Sequence, residues 1–264
     1  MSKIPATFKV YQYEMRVKVF SAALNPIDYK MIQYGPALVS TKPTPEKLFR
    51  LGFDLAGKVV ELSSDVKDYK IGDEVYAVPW IDALGSFGEY INVNIKFLAP
   101  TPTNMSWNEA AGIAKAVGAE VITTCSHRNV ELVKSLGADQ VINYTKEKWS
   151  DVLGEHSVDL IYDCGYDGAS WNDVAQKTLK EKTGIFVTIL SVDNPIDSPI
   201  GATLHQIINA PCTEFLLELK KLIEADKLKT IIDSVHLLEN VLDAMKICLS
   251  RRAKGKIIIE VAKH

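Results

Sequence analysis

Six consecutive residues near the start of the chain, Asn25-Pro26-Ile27-Asp28-Tyr29-Lys30, bring an amide, a carboxylate and an ammonium group close together. Such groups can hold the polar atoms of a small molecule through hydrogen bonds and charge. Asn-Pro alone is also typical of a turn, and an exposed lysine needs no function. We favour a functional role because the full string is more than a turn requires. Tyr34, four residues after Lys30, either lines a substrate pocket or packs within the fold.

A further carboxylate stands in Gly52-Phe53-Asp54. Asp54 is either a catalytic carboxylate or a structural acceptor of hydrogen bonds inside a turn, and we favour the structural role. The cysteines and histidines predict no metal site. The four cysteines are widely separated and form no C-x-x-C pair, and no histidine stands four residues from another histidine or a cysteine. No disulfide framework is therefore predicted, and a reducing, cytoplasmic location is expected.

Helix and strand patterns alternate in the middle of the chain. Ala114–Ser126 predicts a helix end, a glycine turn and a strand, and helix Val130–Leu136 and strand Gln140–Asn143 follow. This βαβ rhythm is typical of an open parallel sheet that binds a dinucleotide. Such a sheet opens with a strand, a Gly-rich turn and a helix N-terminus that together bind the pyrophosphate. This chain enters the rhythm in mid-helix at Ile113-Ala114, and the sequence contains no G-x-G-x-x-G.

The residues after the second strand of such a sheet select the cofactor. An enzyme that uses NAD usually has Asp or Glu there, which accepts a hydrogen bond from the ribose 2′-hydroxyl. This chain has Cys125-Ser126-His127-Arg128-Asn129 instead. Because no acid repels it, a 2′-phosphate fits against Ser126 and Arg128, and we predict NADPH as the cofactor. Alternatively, Arg128 is only a first-turn residue of the next helix.

Composition excludes several classes of protein. The chain has 264 residues, a net charge of −3 and a pI of about 6.0, so it offers no basic surface for nucleic acid or an anionic membrane. Its longest apolar runs, such as Ile185–Leu190, are strand-sized and too short to span a bilayer. An apolar share of 47% and a charged share of 24% are ordinary for a globular protein.

Short strands in the first third predict a small β-barrel. They are Met15–Ala22, Gly57–Leu62, Glu74–Val78 and Glu89–Val93. The last third predicts helices Glu214–Ala225 and Leu238–Leu249, and a closing strand, Ile257–Val261, which needs an N-terminal partner. We predict a barrel domain of residues 1–109 completed by 211–264, and a parallel-sheet domain of residues 110–210.

Seven segments together resemble the zinc-free quinone and enone reductase branch of the medium-chain dehydrogenase/reductase family. They are Ala22–Lys30, Gly52–Val60, Gly72–Ala77, Gly85–Tyr90, Leu136–Tyr144, Leu160–Cys164 and Arg252–Lys256. Each segment is weak alone, but their order and spacing are specific. The resemblance implies an α/β protein with a GroES-like β-barrel domain and a Rossmann-type parallel-sheet domain.

The resemblance is interrupted at three places: after Glu14, after Ile113, and between about Gln206 and Phe215. At the second place the family has the first strand of the nucleotide-binding sheet and its Gly-rich loop, which this chain lacks. Because that strand lies in the middle of the sheet, its loss leaves neighbouring strands without hydrogen-bond partners. The missing segments are either absent from the polypeptide, as in a shortened isoform, or lost where pieces of a longer sequence were joined.

The resemblance also implies the chemistry. Asn25 and Phe53 stand where the zinc branch has a cysteine and a histidine, so no zinc is expected. Without a metal, hydride transfer from NADPH suits a quinone or an activated C=C bond. Asn25 and Lys30 would face the nicotinamide ribose and the reacting carbonyl, with Tyr34 at the pocket. The implied cofactor contacts are Lys30, Ser126, His127, Arg128, Asn129, Tyr144, Leu190 and, more weakly, Arg252.

Two functions stay open at this point. The first is an NADPH-dependent reductase of a small-molecule quinone or enone, working as a monomer or as the homodimer that the family often forms. The second is a catalytically impaired, shortened relative that acts through interactions or structure. The missing Gly-rich turn separates them, because nucleotide binding depends on it.

Overall fold

The computed structural model describes residues 14–38, 50–79, 85–106, 120–164, 167–207 and 212–262. The chain divides into two compact units, which we call unit 1 (Met1–Val117 with Pro211–His264) and unit 2 (Gly118–Ala210). No helix within the described ranges combines the length and apolar character needed to cross a membrane.

The elements of the described residues are numbered in chain order. The strands are β1 (Glu14–Leu24), β2 (Asp54–Leu62), β3 (Glu74–Ala77), β4 (Tyr90–Asn94), β5 (Leu98–Pro100), β6 (Ile122–Cys125), β7 (Gln140–Asn143), β8 (Leu160–Asp163), β9 (Ile185–Thr188), β10 (Thr203–Gln206), β11 (Ile232–Leu237) and β12 (Lys256–Glu260). The α-helices are α1 (Pro26–Leu38), α2 (Val130–Ser135), α3 (Trp149–Val152), α4 (Val174–Thr178), α5 (Thr213–Glu224) and α6 (Val241–Leu249). Short 3₁₀ turns occupy Ile95–Phe97, His127–Asn129, Gly168–Asn172 and Leu238–Asn240.

Strand β1 is the centre of unit 1. It pairs antiparallel with β12, β2 and β4, in a seven-stranded sheet whose order is β11-β12-β1-β2-β3-β5. From Val19 to Leu24 every residue of β1 is buried, so both faces of this half of the strand are covered. Val17, Leu55 and Val59 pack together in the adjoining core. This is the barrel-like domain that the sequence predicts.

The closing strand pairs as predicted. Residues Ala22 and Leu24 of β1 lie opposite Ile259 and Ile257 of β12, and Ile257–Ile259 are buried. Several elements were not predicted. Among them are α1, which begins at Pro26 directly after Asn25, and β11, which pairs parallel with β12. Proline suits the first turn of a helix because its missing N–H has no partner there in any case.

Only the first of the three predicted interruptions lies within the described residues. Glu14 and Met15 are consecutive residues of β1 and continue one register, opposite Asn94 and Val93 of β4. The strand therefore runs through this join without a break. The other two joins, at 113–114 and near 210, lie outside the described residues.

The parallel strands of unit 2 form two separate sheets. One contains β6 and β7, and the other has the order β10-β9-β8. In the usual dinucleotide-binding order, 3-2-1-4-5-6, the first strand lies between the second and the fourth. These correspond to β6 and β8, so the sheet is divided at the place where the missing strand would lie. Within the described residues, β6 pairs only with β7, and β8 only with β9, as the sequence predicts.

Strand β8 shows the consequence for packing. Leu160 and Tyr162 are 50% and 53% exposed, whereas the strands of a complete parallel sheet are normally buried on both faces. The core of unit 2 instead lies around β9, where Phe186 is fully buried. Its ring packs against Trp171 with the ring centroids 5.9 Å apart. The three-stranded sheet is therefore the better packed half of this unit.

Candidate functional site

Three strand ends meet at one edge of the unit 1 sheet. Strand β1 runs antiparallel to β2 and β12, so its last residues lie beside the first residues of these two strands. Ala23 pairs with Asp54, and Leu24 pairs with Ile257. Asn25 follows β1 directly, and Lys256 is the first residue of β12. Residues distant in sequence are thereby brought together.

Asn25, Asp54 and Lys256 form a hydrogen-bonded group that we call the strand-end network. The Asn25 side-chain amide donates to Asp54 Oδ2 at 2.9 Å and to the Ala23 carbonyl oxygen at 3.3 Å. Lys256 Nζ donates to Asn25 Oδ1 at 2.7 Å and lies 3.5 Å from Asp54 Oδ2. The side chains of Lys256 and Asp54 are 32% and 17% exposed. The network is therefore partly desolvated but reachable from solvent.

Asp28 supports this network from within the fold. Its buried carboxylate accepts hydrogen bonds from the Asn25 backbone N–H at 2.8 Å and from the Gly52 N–H at 3.0 Å. Burial raises the pKa of Asp28 to about 6, and the nearby Asp54 charge adds to this, whereas the two N–H groups and Lys256 oppose it. Gly52 has φ +98°, and a Cβ there would lie 2.1 Å from Ser86 Oγ. Glycine is thus required at this position.

We expect the stability of the protein to depend on pH through Asp28. The folded pKa of about 6 lies above the unfolded value of about 3.9, so the folded chain binds this proton more tightly. The stabilising contribution is present at low pH and is lost as pH rises through about 6. Relative to Asp28→Asn, the free energy of unfolding of the wild type should fall by about 2 kcal/mol between about pH 4.5 and about pH 7.5.

Denaturant titrations of both proteins across this range measure the difference. Asp68→Asn, at an exposed aspartate of unit 1, is the matched control and should show no such trend. A difference between wild type and Asp28→Asn that is constant with pH, or that grows as pH rises, would contradict the assignment of a raised pKa to Asp28.

The other predicted catalytic residues lie on α1. Lys30 and Tyr34 stand one helical turn apart and therefore share a helix face, and both are exposed, Tyr34 by 60%. The helix starts directly after Asn25, so the string that carries the first motif is a strand end followed by a helix rather than an isolated turn. Their contact with a substrate stays a prediction.

The predicted contacts to the adenosine end of NADPH lie at the carboxyl ends of β6 and β7. Cys125 pairs with Asn143, and the Tyr144 N–H donates to the Cys125 carbonyl at 3.2 Å. Ser126 and Tyr144, the next residues on each strand, are therefore neighbours. The 3₁₀ turn His127–Asn129 follows Ser126 and exposes His127 and Arg128. Asn129 Oδ1 is buried and has no hydrogen-bond partner among the described residues.

Leu190 and Arg252 belong to other elements of the fold than this group. Leu190 follows β9 in the three-stranded sheet, and its N–H donates to Thr188 Oγ1 at 3.1 Å. Arg252 is an exposed residue of unit 1, in the turn between α6 and β12, and its N–H donates to Ser250 Oγ at 3.3 Å. Within unit 2, only the residues after β6 and β7 form one local cluster.

Lys256 is the site residue that sequence reasoning missed. Its segment, Arg252–Lys256, was interpreted as a basic turn in which Arg252 was the candidate. The signal that could have found it is the pairing of the closing strand with an N-terminal strand, because that pairing places the first residue of β12 beside the end of β1. In the described part of the chain, no three His, Cys, Asp or Glu side chains are grouped so that they could hold a metal ion.

Comparisons with family models and with individual known proteins agree on the family of this chain. The model of the alcohol dehydrogenase GroES-like domain matches residues 11–103, and a zinc-binding dehydrogenase model matches residues 136–259. A 2-methylene-furan-3-one reductase of Solanum lycopersicum is 29% identical over 93% of this chain and 71% of its own length. The chloroplastic NADPH-dependent alkenal/one oxidoreductase of Arabidopsis thaliana is 29% identical over 95% of this chain and 73% of its own length.

A solved structure, the quinone oxidoreductase from Coxiella burnetii, matches with a TM-score of 0.75 and 23% identity, over 97% of this chain and 93% of its own. This match shows the fold. The match to the Solanum protein extends over 294 positions, more than the 264 residues of this chain, so that relative has residues with no counterpart here. The chain belongs to the medium-chain dehydrogenase/reductase family of oxidoreductases, and relatives named as quinone and enone reductases are among its matches.

Proposed function

We propose that this chain is a zinc-independent, NADPH-dependent reductase of quinones or α,β-unsaturated carbonyl compounds whose affinity for the nucleotide is low. The strand-end network is the observation that supports this most directly. The ammonium group of Lys256 contacts Asn25 Oδ1 and Asp54 Oδ2. A cation at this position disfavours binding of a divalent metal ion through charge repulsion. Relatives named as an alkenal/one oxidoreductase and as quinone oxidoreductases support the substrate class.

The residues present fit only one end of NADPH. Ser126 and Arg128 follow β6, Tyr144 follows β7, and the segment Cys125–Asn129 contains no acidic residue, which suits a 2′-phosphate and an adenine. The sequence contains no Gly-rich turn that could bind the pyrophosphate. Among the described strands, the sheet is also divided where that turn would begin. We therefore propose a nucleotide site that is retained at the adenosine end and defective at the pyrophosphate.

When bound, NADPH supplies a hydride, which carries two electrons, and solvent supplies the proton that completes reduction of the substrate. Negative charge develops on the carbonyl oxygen of an enone, or on an oxygen of a quinone, as the hydride arrives. The chain's own contribution is positioning and charge stabilisation. In this assignment Asn25 and Lys30 hold polar atoms of the ligands, and Tyr34 borders the pocket.

A steady-state assay with a soluble naphthoquinone and with cyclohexenone tests the proposal. NADPH consumption should rise almost linearly with NADPH into the millimolar range, because the site is far from saturated, and a chelator should not change it. Asn25→Ala should lower the rate roughly 100-fold through misplacement of the reacting groups. Asn92→Ala, an exposed position on β4, is the matched control and should retain the rate. Inhibition by the chelator would contradict the zinc-independent mechanism.

The divided sheet favours one alternative, a catalytically impaired relative that acts through interactions or structure. In the same assay, consumption no faster than in protein-free buffer, at millimolar NADPH and with both substrates, would establish this alternative. A homodimer and a cytoplasmic location stay predictions.

A further inference from the structure

We infer that Lys256 is the residue that binds the carbonyl oxygen of the substrate. This inference rests on the proposed function, since it names the group that recognises the quinone or enone. It assigns to the start of β12 a contact that the resemblance gave to Asn25 and Lys30, and the argument begins with the hydrogen-bonding capacity of Asn25.

The Asn25 side chain has no donor left for a carbonyl oxygen. A primary amide has two N–H groups and an oxygen with two lone pairs. Both donor directions are used within the protein, toward Asp54 Oδ2 and the Ala23 carbonyl, and the oxygen accepts from Lys256. What remains is one lone pair on Oδ1. Asn25 can accept a hydrogen bond from a hydroxyl group, such as that of a ribose, but it cannot donate to a carbonyl.

Lys256 has the capacity that Asn25 lacks. An ammonium group has three N–H donors, and the contacts to Asn25 Oδ1 and Asp54 Oδ2 use at most two of them. About a third of its side-chain surface is accessible. One N–H is therefore available to a ligand at the same edge of the sheet.

The position of this ammonium group is fixed before any ligand arrives. Lys256 is the first residue of β12, and the register of β12 with β1 sets where its side chain begins. Asn25 and Asp54 then hold its end. A lysine with a free end loses rotamer entropy on binding, and this restraint avoids most of that loss. The ammonium group of Lys30, which is exposed on α1, makes no hydrogen bond or ion pair with the described residues and so has no comparable restraint.

The charge suits the chemistry. Asp28 accepts a hydrogen bond from the Asn25 backbone N–H, and Asp54 accepts one from the Asn25 side-chain amide. Lys256 is the cation that approaches both Asn25 and Asp54. A fixed positive charge beside the carbonyl oxygen stabilises the negative charge that develops there when the substrate is reduced. The ligand class is therefore a compound whose carbonyl oxygen becomes anionic on reduction, as in a quinone or an enone.

The test needs no nucleotide, so its result is independent of the assay of the proposed function. Cyclohexenone with an isotope-labelled carbonyl carbon is bound to the purified chain, and the carbonyl stretch is recorded by isotope-edited infrared difference spectroscopy. Affinity is measured by equilibrium dialysis. In the wild type, the bound carbonyl should absorb at lower frequency than in water. Lys256→Met should abolish this shift and weaken binding roughly 10- to 100-fold, the effect of one lost charged hydrogen bond.

Four further variants keep the result interpretable. Lys254→Met, an exposed lysine of the same basic turn, should keep both the shift and the affinity. Lys256→Arg should restore part of the shift. The double variant Lys256→Met with Asp54→Asn also removes the Asp54 carboxylate, which loses its ion-pair partner in the single variant. The double variant therefore provides a folded protein if the single variant unfolds. The inference is overturned if the wild type shows no shift or if the shift survives in this double variant. It is also overturned if the shift disappears only in Lys30→Met. A normal shift without NADPH-dependent turnover would instead contradict the proposed function alone.

Discussion

Backbone amides of β6 and β8 are expected to exchange with solvent deuterium roughly 1,000-fold faster than those of β1 and β12, which corresponds to about 4 kcal/mol less opening free energy. Strand β1 pairs with three other strands in a buried sheet, so its amides should open only when unit 1 unfolds. Strands β6 and β7 form a two-stranded sheet of four-residue strands, and such a sheet is marginally stable in water. Hydrogen–deuterium exchange read by mass spectrometry or NMR measures the ratio.

Strand β9 is the internal control for this prediction. It belongs to the same unit as β6 and β8 but pairs on both edges, with β8 and β10, and it carries the buried Phe186. Its amides should exchange more slowly than those of β6 and β8. If all three strands exchanged equally slowly, the edges of β6 and β8 would be protected by other parts of the chain, and the inferred break in the sheet would be wrong.

Insertion of a strand, a G-x-G-x-x-G turn and the start of a helix between Ile113 and Ala114 is expected to raise the affinity for NADPH by several powers of ten. The turn and the helix N-terminus supply N–H groups and a favourable dipole for the two charges of the pyrophosphate. Each charged hydrogen bond contributes about 1.5–3 kcal/mol, so two or three of them convert millimolar binding into micromolar binding or better. Reductase activity at micromolar NADPH should appear together with binding.

The control is an insert of equal length in which the three glycines of the turn are replaced by alanine. It restores a strand between β6 and β8 but not the turn that approaches the pyrophosphate, because those positions need backbone conformations and close contacts that a Cβ prevents. Amide exchange of β6 and β8 should slow with both inserts, whereas NADPH affinity should rise only with the glycine insert. Equal gains in affinity from both inserts would show that closing the sheet, and not the phosphate turn, limits binding.

The sequence was sufficient to predict features that have a local pattern, and features that follow from the absence of an expected segment. Alternating apolar residues predicted β1, and an apolar closing segment in need of a partner predicted the pairing of β12 with β1. Loss of a central strand predicted that β6 and β8 would each lack a partner on one edge, and the described sheet is divided there. Local pattern and parallel-sheet geometry were sufficient for these features.

The features missed were set by long-range contacts. Asn25-Pro26 has the local signal of a turn, and only the structure shows the helix α1 that follows it. Lys256 stands in a basic turn that is typical of a solvated surface, yet its side chain crosses to Asn25, which is 231 residues away in sequence. Strand β11 alternates half-buried with exposed residues, and its assignment depends on its pairing with β12. No local pattern carries such information, because it resides in the partner strand.

The central claim is that the chain keeps its substrate site but has a nucleotide site without the Gly-rich turn that binds the pyrophosphate. Titration of the unmodified chain with NADPH, after its mass has been verified, tests this claim most directly. Nucleotide fluorescence is followed in the chain and in Arg128→Ala, which removes the predicted contact to the 2′-phosphate. The account predicts a dissociation constant in the millimolar range or weaker, roughly 1,000-fold above a micromolar site, and further weakening in Arg128→Ala. Binding of NADPH by the unmodified chain at micromolar concentration would contradict it.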